Sequence, residues 1–239
     1  MPREASARDL SRLRELAQDV RPVAFAHERT LPVLPALEPL FPGRALRRGT
    51  SVRVEGVSGA TTLALAVLAG PSRAGSWVGC LGVPALGWSA AAEAGVVLDR
   101  VVVVRAGEGD WVTAAAALVD AVDVVLLGPG RRAGSTEIRR LAARARERGT
   151  VLLGAEAADR PRQDWPRVDV RLSVRAAEWS GPGRGWGHLR ARRVAVDVEG
   201  RSVPGGVKRV ELWLPGPDGI RPVTSGADAP VVALRRQLG

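Results

Sequence analysis

Tyrosine is absent from these 239 residues, phenylalanine occurs twice, and lysine, cysteine and methionine occur once each. One cysteine, Cys80, excludes an internal disulfide and suits a reducing compartment. It lies in an apolar, strand-like run and reads as a buried structural thiol rather than a nucleophile. His27 and His188 are the only histidines, and with Cys80 they are too few and too scattered to hold a metal. No apolar run approaches the ~18–20 residues that cross a bilayer, so no transmembrane helix and no membrane partner are expected. The stretch from Met1 to Leu16 is charged and lacks an apolar segment of signal-peptide type. A G-x-S-x-G nucleophile elbow is also missing. The nearest approach, Gly56-Val57-Ser58-Gly59, is one residue short, which argues against hydrolase chemistry.

What is present points to a soluble α/β domain. The length suits one domain with short extensions, and hydrophobic residues make up 46% at a mean hydropathy of +0.01. The net charge is +10, and Lys208 is the only lysine among the 35 basic residues. An arginine excess of this kind favours acidic partners, nucleic acid or an acidic protein face; a GC-rich genome would produce the same excess. Of the seven tryptophans, Trp77 and Trp213 fall in strand patterns and are expected in the core. Trp165, Trp179 and Trp186 lie in or beside Gly/Pro turns. Around them stand Arg184, Arg190, Arg192 and Arg193, a mixture found at interface hot spots and base-stacking surfaces. The rings would equally serve to cover a sheet edge.

Along the chain, residues 6–20 carry apolar positions at helical spacing and predict a short amphipathic helix. Residues 21–48 contain Pro22, Pro32, Pro35, Pro39 and Pro42 and read as an extended tether. Then near-continuous Val/Leu runs predict strands at Ser51–Glu55, Trp77–Gly82, Val101–Arg105, Val122–Leu127 and Thr150–Gly154. Such runs suit parallel strands buried on both faces. Helices are expected at Thr61–Ala69, Ser89–Glu93, Thr113–Ala121 and Thr136–Arg148, the last capped by Ser135 and stopped by Gly149. Its Arg139, Arg140 and Arg144 read as a solvated face. Beyond about residue 165 the pattern alternates in Val168–Arg175, Leu189–Glu199 and Lys208–Pro215, which predicts an antiparallel meander on the same sheet. The expected organisation is an N-terminal helix and tether (1–40), a mostly parallel α/β core with helices on its sheet (41–215), and a tail (216–239).

The most informative segment joins the first strand to its helix. The setting is that of a phosphate-binding loop, G-x-x-x-x-G-K-S/T. Here Gly56, Gly59, Ala60, Thr61 and Thr62 form a G-x-x-G-A-T-T turn, two residues shorter between its glycines, with alanine where lysine should be. A nest of N–H groups needs length to wrap a phosphate, and lysine supplies charge for the β/γ-phosphates. A helix N-terminus still favours anions without lysine, so weak phosphate binding stays open.

The serial order of these pieces, from Leu40 to about residue 215, resembles the core of RecA-type recombinases. The matching stretches are the approach and T-T-L-A-L helix start through Ala69, Ala85-Leu86, the E-x-G-V-x-L-D-R-V-x-V pattern from Glu93 to Val103, the strand 122–127, and the late hairpin 168–199. Against that family, lysine is replaced by Ala60 and the Mg²⁺-organising acid at the end of the second-site strand by Gly128. The catalytic glutamate falls near Gly82–Pro84, which carries no carboxylate. The segments Pro129–Ser135 and Glu156–Arg167, where DNA-binding loops would lie, are short.

This combination resembles the ImuA-type proteins, RecA-like members of the damage-tolerance mutasome cassette. The resemblance implies a non-catalytic adaptor in SOS-induced translesion synthesis, without a cofactor, acting in the cytoplasm and at the nucleoid after DNA damage. Its implied partners are an ImuB-like, inactive relative of Y-family polymerases and, indirectly, a DnaE2-class polymerase and the sliding clamp. Direct DNA contact is left open. Two other readings stand beside it: a diverged ATP-binding enzyme of the RecA family, and a DNA-binding module without ATPase activity. Candidate interaction residues are Trp186, Arg190, Arg192 and Arg193, with Leu234 and Leu238 in an apolar C-terminal segment.

Overall fold

In a computed structural model of the chain, the described residues are 3–5 (backbone only), 29–83, 86–107, 109–128, 133–157, 165, 168–181, 188–216 and 218–223. In chain order they form β1 (Arg3–Ala5), β2 (Thr30–Leu31), β3 (Leu46–Arg47), β4 (Ser51–Gly56), α1 (Ala60–Arg73), β5 (Val78–Leu81) and α2 (Trp88–Glu93). These are followed by β6 (Val101–Val104), α3 (Trp111–Ala121), β7 (Val124–Leu127), α4 (Ser135–Arg148), β8 (Val151–Ala157), β9 (Val170–Ser180), β10 (Ala191–Glu199), β11 (Lys208–Gly216) and β12 (Gly219–Pro222).

Ten of these strands make one sheet, in the order β1-β6-β5-β7-β8-β4-β9-β10-β11-β12. Neighbours from β1 through β9 are parallel. From β9 to β12 they are antiparallel. The expected parallel core with a C-terminal meander is therefore present, and β9 belongs to both parts.

The Val/Leu runs form strands because β-branched side chains are stiff and pack well on a pleated surface. Their two faces fill two cores. Val52, Val54, Cys80, Leu126 and Leu153 pack on the α1 side with Leu63 and Val67. Val104, Val125, Leu127 and Leu152 pack on the other side beneath α3 and α4, with Trp111, Leu118, Ile138 and Leu141. Each fully buried leucine contributes about 1.5–3 kcal/mol.

Several expectations change. The described part of the tether, from residue 29, is built into the α1-side core. β2 pairs with β3, and Leu31, Leu37, Leu40, Phe41 and Leu46 are buried. The prolines there set two short 3-10 turns, Pro35–Leu40 and Pro42–Arg44, which present these apolar side chains inward. Trp165 is 5% exposed and lies in the α3/α4-side core, whereas Trp77 is 38% exposed with the Arg100 guanidinium over its ring. Trp213 is buried as expected. Ser135 is the first residue of α4 and not its cap; Gly134 takes that place, and its N–H donates to the Glu137 carboxylate at 2.9 Å. Arg139 and Arg140 are exposed, but Arg144 is drawn in by Asp120. Part of the expected tail pairs with β11 as β12. The amphipathic helix at 6–20 lies outside the described residues.

Candidate functional site

β4 ends at Gly56, and residues 57–59 turn the chain into α1. Gly59 is the N-cap residue, at φ 94°, a left-handed conformation open to glycine at no steric cost. It has no side chain to cap the helix, so the first N–H groups of α1 face the turn without an intrahelical acceptor. The first helical bond runs from Leu63 N–H to Gly59 O at 2.8 Å. Ala60 is buried, Thr61 is exposed, and Val57 at the tip is 82% exposed. Nothing on the loop itself supplies charge.

The charge comes from the meander. Arg192, on β10, is 6% exposed and reaches across to this turn. Its Nη2 donates to Thr62 Oγ1 at 2.8 Å, its Nη1 to Ser58 Oγ at 3.5 Å and its Nε to the Leu214 carbonyl at 2.7 Å. The guanidinium also lies 4.9 Å from the centre of the Trp179 ring. All these partners are neutral. Burial pushes the Arg192 pKa down from its ordinary value, with no carboxylate to oppose it.

A second feature lies at the ends of β5 and β7, where the Mg²⁺-organising acid and the catalytic glutamate would stand in the resembled family. Gly128 N–H donates to the Leu81 carbonyl at 2.8 Å. A Cβ at residue 128 would collide with the Gly82 carbonyl oxygen and Val83 Cγ1. The two strand ends are closed against each other, and the space for a side chain at 128 is filled.

A third feature escaped the sequence reading. Arg53 on β4 is buried on the α3/α4 side of the sheet, with Nη2 2.7 Å from Glu156 Oε2 and 3.1 Å from Glu55 Oε2. Ser173 Oγ donates to Glu55 Oε1 at 3.0 Å. The register of β8, β4 and β9 places Glu55 opposite both Glu156 and Ser173. Arg53 Nε has no partner among the described groups. Among the described residues, the Arg53 guanidinium is thus shared between two acids. Among the described residues no group of three or more His, Cys, Asp or Glu side chains is placed to hold a metal.

Of the candidate arginines, Arg190, Arg192 and Arg193 do not share one face. Arg192 shares the parity of Val194 and turns inward to α1, while Arg193 points to the other face and pairs with Glu211. This corrects the expectation of Arg192 as an exposed contact: alternation along β10 sends it into the protein. Arg190 is exposed just before β10. Trp186, Leu234 and Leu238 lie outside the described residues. Gly56, Gly59, Ala60, Thr61 and Thr62 do form the single expected turn.

Strand order, the loop after β4 and the helices on both faces define a RecA-like fold. The chain is similar in structure to the KaiC-like protein PH0186 from the archaeon Pyrococcus horikoshii OT3, at a TM-score of 0.55 and 16% identity, covering 85% of this chain and 100% of that one. Residues 39–167 match the MT3502 N-terminal domain family, and the chain belongs to that family. It is also 33% identical over 153 residues to the uncharacterized protein Rv3395c of Mycobacterium tuberculosis (strain ATCC 25618 / H37Rv), covering 61% of this chain and 72% of the relative.

Proposed function

We propose that this chain is a RecA-fold accessory protein that does not hydrolyse ATP and acts in translesion DNA synthesis through protein contacts. Its direct partner would be an ImuB-like inactive polymerase relative, and through it a DnaE2-class polymerase and the sliding clamp. One observation carries the reading: the RecA-like scaffold is intact while Gly128 is walled in by Gly82 and Val83. Hydrolysis on this scaffold needs a carboxylate to organise Mg²⁺, a base, and a cation on the β/γ-phosphates. The first has no room, Gly82 and Val83 supply no base, and the loop carries Ala60 in place of lysine. A scaffold without that chemistry serves through its surfaces. The ImuA-type resemblance supplies the partner class, and the arginine-rich composition suits acidic surfaces.

The test has two arms. Purified full-length protein with Mg·ATP, with and without single-stranded DNA, is expected to show only background turnover. The tagged chain is expected to co-purify with its ImuB-like partner from cells treated with a DNA-damaging agent. A robust turnover rate abolished by Thr61→Ala, or loss of partner capture, overturns the reading.

A further inference from the structure

The amino ends of the parallel strands carry a row of linked side chains, at the opposite end of the sheet from the turn after β4. Trp77 stands immediately before β5 and is the one exposed aromatic among the described residues. The Arg100 guanidinium lies 5.3 Å from the centre of its ring. Arg100 closes a 3-10 turn with Val97, which is 37% exposed and whose N–H is held by Ser72 Oγ at 3.1 Å. On the other side, Trp77 N–H donates to Asp123 Oδ2 at 2.9 Å, and Arg48 Nη1 donates to Asp123 Oδ1 at 2.8 Å. A Cβ at Gly149 would touch the Arg48 side chain and one at Gly49 the Arg146 backbone, so the end of α4 joins the row. From Arg100, before β6, to Arg48, before β4, there are four interstrand steps. At ~4.8 Å each the row is about 19 Å long. Arg100 and Arg146 are both exposed and have no acidic partner among the described residues. Tryptophan and arginine carry most of the energy at protein interfaces. Here the indole is already fixed by Arg100 and by its own main chain on Asp123, so little ordering is left to be done on binding.

We propose that this row is the docking surface for an acidic segment of a partner protein. An apolar side chain of the partner lies on Trp77 and Val97, and its carboxylates oppose Arg100 and Arg146. A helix of about 13 residues, at ~1.5 Å each, spans the row. The inference rests on the proposed function, that the chain acts through protein contacts, and gives that function its surface. Nucleic acid fits the row less well. Asp99 and Glu147, both exposed, and Asp123 interrupt the cations and repel a continuous phosphate backbone, and Arg100 takes one face of the Trp77 ring. A protein can set a neutral or basic group opposite each of those acids. Ligands of parallel sheets bind at the carboxyl ends of the strands, so a partner seated at the amino ends leaves that end of the molecule free.

Capture of the ImuB-like partner by the tagged full chain, read by immunoblot at low and at raised salt, tests this. Trp77→Ala combined with Arg100→Glu should weaken capture about tenfold or more, because an anchor and its charge are lost together. Arg100→Glu combined with Arg146→Glu changes only exposed side chains, keeps the fold by circular dichroism, and carries the test if the tryptophan variant does not fold. It too should lose capture, and capture by the parent should weaken as salt rises. Val207→Ala combined with Arg221→Glu makes an equivalent change on the meander and should capture as the parent does. Equal capture by parent and both row variants overturns the inference, and so does equal loss in the meander variant, which would mean net charge alone. Row variants that lose affinity for a labelled oligonucleotide, measured by anisotropy, and still capture the partner would assign the row to nucleic acid and also overturn it. Failure of the parent itself to capture the partner sinks the proposed function and this surface with it, whereas capture by the parent and by the row variants alike sinks only the surface.

Discussion

The carbonyl oxygen of Gly82 occupies the space that a side chain at Gly128 would need, and Val83 closes its other side. The end of β7 is therefore glycine by packing, whatever its ancestry. Restoring the acid with Gly128→Asp should destabilise the fold by about 2 kcal/mol or more, the cost of overpacking together with a buried carboxylate. It should restore no ATP turnover. Urea denaturation and a Mg·ATP assay on the same preparation check both parts.

Arg53 is the keystone of three strands. Arg53→Ala would leave Glu55 and Glu156 facing each other in the α3/α4-side core, and stability should fall by about 3–5 kcal/mol. Exchanging the buried pair for apolar groups, Arg53→Met with Glu156→Leu, should recover most of that loss. The double-mutant cycle in urea would then show strong non-additivity. Additive losses would mean the pair is not coupled.

Asp169 makes stability depend on acid. Burial is the strongest single influence on it and pushes its pKa up. Bonds from the Ser51 N–H and hydroxyl and from Arg201, with the charge of Arg201, outweigh burial together and hold the carboxyl below its ordinary value. A carboxyl depressed in the folded state binds its proton more weakly there than in the unfolded chain. Its contribution is thus complete above the unfolded value of about 3.9 and is lost as pH falls through the folded value. Asp169→Asn should be less stable than the parent at pH 7, and the gap should narrow progressively as pH falls below about 4. Urea midpoints of both proteins between pH 7 and pH 3 check this.

Cys80 lies between the β5 neighbours, fully buried, and burial pushes its thiol up to about 12. The thiolate is the reactive form. At pH 8 a disulfide reagent should leave the native protein unmodified over the time in which denatured protein reacts completely. Rapid native labelling would show that β5 opens.

The parallel core was legible because buried parallel strands are written as uninterrupted Val/Leu runs, and Val101–Val104 and Val124–Leu127 are almost nothing else. The turn at Gly56 and Gly59 was legible for the same local reason: only a strand, a glycine turn and an apolar helix produce that order. The tether was misread because proline count suggests extension, whereas Leu31, Leu37, Leu40 and Leu46 bury apolar area on α1 that no local pattern records. The two tryptophans were exchanged by context as well. Trp165 follows a polar stretch yet stacks against Gly154, and Trp77 precedes a buried strand yet stays under Arg100. For Arg192 a signal did exist, since it lies two residues before Val194 and so shares the inward face of β10.

By itself, then, the order of residues determined the strands and helices of the parallel core, the missing lysine and the absence of a carboxylate at Gly82 and Gly128, because these depend on neighbours within a few positions. Only the folded sheet decided that Arg192 meets Thr62, 130 positions away in the chain, and that Arg53 lies between two acids. Those encounters are made by strand order and register, which long-range packing selects and which no short window of sequence contains.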